Sequence, residues 1–178
     1  MHGVQTERRT ALNADRVKRA RKTLALCAFL VFLLDFLSKL WAVENLKGRD
    51  SIKVIGNFLQ LTYTTNSGAA FSMAPNATLA LASFALCVAA FIIYFSRKVI
   101  SNWWGAALGL VLGGIFGNLW DRIFKAPGRF QGHVVDWIEL PHWPIFNVAD
   151  SAICIAAGIV VILAIKNIQP TASSNHVA

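Results

Sequence analysis

The sequence predicts an all-α membrane protein with four transmembrane helices, a small extracytoplasmic β-hairpin or sheet and a short periplasmic helix or loop. Hydrophobic residues make up 56% of the 178 residues and charged residues only 15%, which is not the balance of a soluble domain. Four apolar runs, at about 24–43, 78–95, 103–119 and 148–165, each come close to the ~20 residues that cross a ~30 Å hydrocarbon core as a helix. These runs are apolar on every face, which argues against the alternating strands of a membrane barrel.

The leader at residues 1–23 is expected to be polar, mobile and cytoplasmic. The first apolar run is full-length and contains an acid, so we expect no cleavable signal peptide and an attached first span. A single four-helix membrane domain follows at 24–167, with outer loops at 44–77 and 120–147, and a polar tail occupies 168–178.

Basic residues predict the orientation. The leader carries seven of them: Arg8, Arg9, Arg16, Lys18, Arg19, Arg21 and Lys22. By the positive-inside rule both termini lie in the cytoplasm. The net charge of +8 therefore indicates topology and attraction to anionic membrane lipids, and nucleic acid is not an expected partner.

Span one contains Asp35 and Lys39, four residues apart on one helix face and in the outer half of the span. Two interpretations stay open. The pair is either a helix-stabilising ion pair with Lys39 reaching outward to the interface, or Asp35 supports a nearby active site.

The sequence of the first outer loop predicts a β-hairpin. The segments 51–55 and 58–64 are rich in β-branched and aromatic residues, and Gly56-Asn57 between them is a turn signal. The hairpin leads into small residues around Asn66 and Gly68, where a backbone can approach a ligand closely and an amide offers both a donor and an acceptor. A plain turn is the alternative for this segment.

Span two has no acid, base or histidine and is expected to be scaffold. Span three repeats glycine at every fourth position (Gly105, Gly109, Gly113, Gly117), a pattern typical of close helix packing, within the chain or between two chains. Its outer end places Asn118, Asp121 and Arg122 at i, i+3 and i+4. We expect Asp121 to form a salt-bridge clamp between neighbouring elements.

Two further acids flank a loop-like segment that contains two prolines. Asp136 precedes this segment, and Asp150 follows it at the head of span four, where Asn147 is placed to cap the helix and to share a face with the acid. An acid at the end of a membrane span is costly unless it is used or paired. We therefore expect Asp136 and Asp150 to be partners, with Glu139 as a competitor nearer the headgroups.

The candidate polar residues all fall toward the outer end of the bundle, and the inner halves of the spans carry no acid, base or histidine. The cysteines and histidines show no metal-ligand spacing, so neither a metal nor a cofactor is expected. Paired acids surrounded by amides favour peptide hydrolysis by general acid–base catalysis, in which the two carboxylates share one proton. The alternatives are a proton-coupled transporter subunit and a purely structural four-helix protein.

Five segments in order resemble the signal peptidase II family, the bacterial lipoprotein signal peptidases: DFLSK (35–39), TNSGAAFS (65–72), GGIFGNLWDR (113–122), GHVVDW (132–137) and FNVADS (146–151). The sequence departs from the family's usual pattern at Phe36, at Trp137 and in its longer basic leader.

The resemblance implies an aspartyl endopeptidase of the inner membrane, with its active site near the outer face. Such an enzyme removes the signal peptide of prolipoproteins before the diacylglyceryl-modified cysteine, and the cyclic peptide globomycin is expected to inhibit it. By motif, the catalytic pair is Asp136 and Asp150. The resemblance places the other polar residues around this pair: Asn66, Gly68, Asn118, Arg122 and Asn147 in supporting or substrate-contacting positions, and Asp35, Lys39 and Asp121 in structural ones.

Overall fold

The computed structural model describes residues 2–68 and 77–172. Within these residues each of the four α-helices contains a stretch long and apolar enough to cross a membrane, so the four-helix prediction is confirmed. The elements, in chain order, are α1 (His2–Asn45), β1 (Ile52–Ile55), β2 (Leu59–Asn66), α2 (Ala77–Phe95), a 3-10 turn (Ser96–Lys98), α3 (Asn102–Phe124), β3 (Val134–Glu139) and α4 (Val148–Ile165).

Helix α1 is much longer than a membrane span requires. Its 44 residues extend about 66 Å, roughly twice the thickness of a hydrocarbon core. The chain between Gly3 and Gly48 has neither glycine nor proline and is rich in strong helix formers, so nothing stops the helix at the membrane surface. Ala20 in the leader is buried against Gly105 of α3. The expectation of a mobile leader is therefore corrected: the leader is the first half of α1.

Helix α3 is the central helix and contacts the other three. Its repeated glycines make this possible, since a methyl group at Gly105, Gly109 or Gly113 would lie 2.5–2.6 Å from a backbone oxygen of α1. The oxygens belong to Ala20, Leu24 and Ala28. The neighbouring Gly114 admits α4 in the same way. The glycine repeat thus serves packing within the chain.

The strands form one antiparallel sheet in the order β1-β2-β3. The hairpin β1–β2 was predicted, and its connection contains Gly56 with a positive φ of 52°. Strand β3 is an addition to the predicted outer loop 120–147: Thr64 pairs with Asp136, and Asn66 pairs with Val134. The following segment, 140–147, is the loop that leads into α4.

The sheet is fixed to the outer end of α1 by a small apolar core. Ala42 of α1 and Leu46, which directly follows α1, are buried with Val135 of β3. Beside them the rings of Trp41 and Trp137 meet edge to face, with 5.9 Å between centroids. Because Val135 and Trp137 point toward this core, the alternation of a strand turns the intervening Asp136 to the opposite face.

Candidate active site

Asp136 and Asp150 come together although they belong to different kinds of element. Asp136 is on β3 and only 2% exposed, whereas Asp150 is in the first turn of α4. A carboxylate is favoured in the first turn of a helix because the backbone N–H groups there have no partner within the helix. Here the charge of Asp150 acts on Asp136, which puts the two acids in one electrostatic site.

Asn147 bridges the two acids. Its side-chain nitrogen donates to Asp136 Oδ1 at 2.6 Å, and its side-chain oxygen accepts from the backbone N–H of Asp150 at 3.0 Å. The backbone N–H of Asn147 in turn donates to Asp150 Oδ2 at 3.3 Å, which completes a capping box. The predicted cap is confirmed, and Asn147 is fully buried.

Asn118 of α3 holds the other side of Asp150. Its Nδ2 donates to Asp150 Oδ1 at 2.9 Å, while its Oδ1 accepts from Lys39 Nζ at 2.9 Å and from Asn147 Nδ2 at 3.2 Å. These bonds fix which way the Asn118 amide faces. The amide therefore presents a donor to the acid, and it links the acid to the charged cluster behind it.

That cluster is formed by Asp35, Lys39 and Asp121. Lys39 Nζ lies 2.6 Å from Asp35 Oδ2 and 3.3 Å from Asp121 Oδ2, and all three side chains are at most 2% exposed. Lys39 thus points into the bundle, which corrects the interpretation that it reaches outward to the interface. Gly117 leaves the space that the Asp35 carboxylate occupies.

Both acids of the cluster also accept hydrogen bonds from backbone N–H groups. Asp35 Oδ1 accepts from the N–H of Ala149 in the first turn of α4 at 2.9 Å, and Asp121 Oδ2 accepts from the N–H of Val135 at 3.0 Å. The clamp predicted for Asp121 is present, and Lys125 adds a second ion pair to it at 2.7 Å. The cluster therefore fixes the backbone next to each candidate catalytic acid: Val135 precedes Asp136, and Ala149 precedes Asp150.

Asn66 and Gly68 lie at the end of β2, beside Asp136. The side chain of Asn66 hydrogen-bonds Asp136, and its Oδ1 accepts from the N–H of Gly68 at 2.7 Å. Gly68 has a φ of 90°, a backbone conformation that favours glycine. The segment therefore forms a turn, as the alternative predicted, and this turn lies at the candidate site. The rest of the motif, residues 69–72, lies outside the described residues.

Arg122 is adjacent to this end of β2. A methyl group at Gly68 would lie 3.9 Å from its Nη2, and its guanidinium is in the field of Asp136, Asp121 and Asp150. Its Nη1 is buried and has no hydrogen-bond partner within the described part of the chain. A buried donor of this kind is costly unless an acceptor completes it.

Burial, and after it the negative charge of Asp150, raises the pKa of Asp136 to about 6. Hydrogen bonds from Asn147 and Asn66 and the positive charge of Lys39 oppose this shift only in part. The site therefore has what general acid–base chemistry needs, two neighbouring carboxyl groups of which Asp136 has a raised pKa.

The remaining candidates lie apart from this pair. Glu139 pairs with Gln60 on the sheet and accepts a hydrogen bond from Thr62, so it does not compete for the dyad. No three acids, histidines or cysteines of the described residues are grouped so that they could hold a metal ion. Sequence reasoning missed the contributions of Thr64, Val135 and Ala149, which act through backbone and register. The β-branched residues Val134, Val135 and Ile138 were the available signal for the strand.

Comparison with known proteins gives a consistent result. The family model described as signal peptidase (SPase) II matches residues 27–166. The chain is 42% identical over 148 residues to the lipoprotein signal peptidase of Mycobacterium leprae strain Br4923, covering 83% of this chain and 73% of that protein. It is 43% identical over 150 residues to the lipoprotein signal peptidase of Rhodococcus jostii strain RHA1, covering 84% and 76%.

The fold is also similar to a solved bacterial membrane enzyme. A structure of that enzyme obtained by the in meso method at 1.9 Å resolution superposes with a TM-score of 0.73 at 28% identity, covering 82% of this chain and 94% of the other. A second structure, at 2.3 Å resolution, gives a TM-score of 0.71 at 27% identity and covers 86% and 95%.

Proposed function

Because the chain belongs to the signal peptidase II family of membrane proteases, we propose that Asp136 and Asp150 are the catalytic pair with which it removes signal peptides from prolipoproteins. The observation that carries this proposal is the arrangement around Asn147, which hydrogen-bonds Asp136 with its side chain and Asp150 through a capping box. The two acids belong to separate elements, yet one buried amide holds both in place.

The pair acts with one shared proton. The ionised carboxylate takes a proton from a water molecule, whose oxygen attacks the scissile carbonyl carbon while the protonated carboxyl donates to the carbonyl oxygen. The tetrahedral intermediate then collapses. Its C–N bond breaks as the leaving amine receives the proton that the base took from water, and a hydroxyl of the intermediate returns its proton to the acid. The water's oxygen stays in the new carboxyl group, and the pair again holds one shared proton. No bond forms between protein and substrate.

We assign the shared proton of the free enzyme to Asp136. Its pKa is raised to about 6, chiefly by burial. Asp150 accepts hydrogen bonds from the Asn118 side chain and the Asn147 backbone, which hold both of its carboxylate oxygens in place. Asp150 is then the base toward water and Asp136 the acid toward the carbonyl oxygen.

Substrate is held by groups at the end of β2 and on α3. Nη1 of Arg122, which has no hydrogen-bond partner among the described residues, is a donor for a peptide carbonyl beside Gly68. Asn66 keeps Asp136 oriented. Cleavage falls before the diacylglyceryl-modified cysteine, whose two acyl chains stay in the lipid beside the bundle.

The proposed orientation has both termini in the cytoplasm and the dyad near the outer face. Basic residues concentrated in the first half of α1 support it, because such residues are retained on the cytoplasmic side. A signal peptide that has crossed the inner membrane then reaches the dyad from its outer end. Globomycin is proposed to inhibit by occupying the same cleft.

The test is cleavage of a purified diacylglyceryl-modified prolipoprotein in detergent with excess chelator. We expect wild-type protein to release the signal peptide, the mature product to begin with the lipidated cysteine by mass spectrometry, and globomycin to stop the reaction. Asp136→Asn protein purified in parallel controls for contaminating proteases. An inert wild-type protein, or a product cut elsewhere, would overturn the proposal.

A further inference from the structure

The bundle has a second built feature at the end opposite the aspartates, where the leader half of α1 meets the start of α3. A cavity of about 420 Å³ opens there, lined by Arg16 and Arg19 of α1 and by Ser101, Asn102 and Trp103 at the start of α3, with Ile100. The two arginines are three residues apart and share a helix face. The cavity is therefore positively charged and lies far from the catalytic pair.

Neither arginine forms an ion pair with a described acid. Among the described side chains, the ion pairs are those of Lys39 and Lys125, and none includes Arg16 or Arg19. Both arginines are exposed. Asp15 is the nearest acid along the helix, and it lines a neighbouring cavity together with three basic residues, Lys18, Arg19 and Lys22. The positive charge at the larger cavity is thus available to a ligand.

An apolar cavity of about 260 Å³ adjoins the charged one. Trp103 lines both cavities and is 66% exposed. The apolar cavity is also lined by Ile159 and Ile162 of α4 and by Lys166, which directly follows α4. Its wall is ordered: Trp104 Nε1 donates to the Ile168 carbonyl at 2.7 Å, and the Ile100 N–H donates to the Pro170 carbonyl at 2.9 Å.

The depth of the two cavities matches that of a lipid. Arg19 precedes the first apolar residue of the span, Leu24, by five residues, or about 7 Å along the helix, which places it at the level of the headgroups. Trp103 between the cavities is an aromatic residue of the kind that favours this interface. Ile159 and Ile162 run from there toward the hydrocarbon.

We propose that this pair of cavities binds one anionic phospholipid, with its phosphate between Arg16 and Arg19 and an acyl chain along Ile159 and Ile162. Charge selects the headgroup, and the apolar cavity selects a lipid over a free phosphate. The bound lipid links α1, α3 and α4 at the end of the bundle that lacks the buried ion cluster. The inference does not depend on the proposed catalytic pair.

The experiment is native mass spectrometry of the full chain in detergent, titrated with phosphatidylglycerol or with phosphatidylcholine of the same acyl chains. We expect one phosphatidylglycerol to bind at least about tenfold more tightly than phosphatidylcholine. Removing two charges in Arg16→Gln/Arg19→Gln should weaken its binding by about thirtyfold. Lys18→Gln/Arg21→Gln removes the same charge from the opposite helix face and should change binding by less than about threefold.

Two further arms complete the test. Ile159→Trp fills the apolar cavity with both arginines intact and should weaken phosphatidylglycerol binding by about tenfold. This variant tests the lipid proposal even if the arginine variant does not fold. Soluble glycerol phosphate should not displace the lipid. Equal losses in the two charge variants, equal binding of both lipids, unchanged binding in Ile159→Trp or displacement by glycerol phosphate would each overturn the proposal.

Discussion

Asn147 is the residue on which the geometry of the proposed catalytic pair depends, because its side-chain amide bonds the carboxylate of Asp136 and the backbone N–H of Asp150. Replacing it with alanine removes the donor to Asp136 and the cap of α4 at once. We expect Asn147→Ala to lower kcat by about a hundredfold, as small displacements of catalytic groups do, with KM nearly unchanged. Loss of the cap should cost about 1 kcal/mol of stability.

The matched control is Ser151→Ala. The Ser151 hydroxyl donates to the Asn147 carbonyl at 2.9 Å but touches neither aspartate, so this variant tests the same helical turn without the bridge. Steady-state kinetics on the lipidated substrate give the comparison. Equal kcat values for the two variants would mean that Asn147 does not position the pair.

The raised pKa of Asp136 also predicts how stability depends on pH. The folded protein holds this proton up to a pH of about 6, whereas the unfolded chain releases it near 3.8. The folded state therefore binds more protons within that window, so the stability that Asp136 contributes is fully present below a pH of 3.8 and is lost as the pH rises to about 6. The shift of about two pH units corresponds to roughly 3 kcal/mol.

Asp136→Asn removes this titration while keeping an acceptor for Asn147. We expect its melting temperature in detergent to exceed that of wild type at pH 7, and its change between pH 4 and pH 7 to be smaller. Thermal unfolding across that range gives both numbers. A variant that is less stable than wild type at pH 7, with the same pH slope, would show that the ionised Asp136 does not destabilise the fold.

Among the elements, helix α3 shows what a sequence pattern can predict. The four-residue glycine spacing predicted a smooth packing face, and the structure places α1 against it. We expect Gly109→Ala to lower the melting temperature, because its methyl group would lie 2.5 Å from the Leu24 carbonyl oxygen. Overpacking of this kind costs typically 1–3 kcal/mol.

Gly158→Ala on α4 is the comparison for that prediction. Nothing lies within 4 Å of the added methyl group, so only the helix propensity changes, by about 1 kcal/mol in favour of alanine. Its melting temperature should equal or exceed that of wild type. If both variants behaved alike in the same detergent, the glycine face would not be a tight contact.

The sequence did not reveal β3 or the inward turn of Lys39, for one physical reason. Local pattern predicts helices and hairpins well, because their partners are near in sequence. Strand β3 pairs with a strand 68 positions earlier at Asn66 and Val134, and two prolines after it suggested a loop. Lys39 likewise turns inward because it donates a hydrogen bond to Asn118 and forms an ion pair with Asp121, both on another helix.

In the molecule as a whole, polar contacts are concentrated at one end. The cluster of Asp35, Lys39 and Asp121 joins α1, α3, β3 and α4 behind the aspartates, and its members are buried. Motif resemblance identified the candidate acids before this geometry was known. Which backbone groups the cluster holds could be seen only in the fold.

Removing Lys39 should therefore disturb the whole molecule. Lys39→Met leaves the buried carboxylate of Asp35 without its cation and leaves Asp121 with Lys125 alone, and breaking a buried pair in this way costs about 3–5 kcal/mol. We expect a large fall in melting temperature, measured in detergent at neutral pH. The control Lys53→Met changes an exposed lysine of β1 and should be near neutral. Similar melting temperatures for the two variants would contradict a structural role for the cluster.

Catalysis and structure are separated by replacing each aspartate alone. Asp136→Asn and Asp150→Asn keep the shape of the side chain and an acceptor oxygen but cannot exchange the shared proton. We predict that both variants elute from size exclusion as folded protein, melt cooperatively and cleave the lipidated prolipoprotein at least about a thousandfold more slowly than wild type. Cleavage within tenfold of wild type by either folded variant would contradict a catalytic pair formed by these two residues.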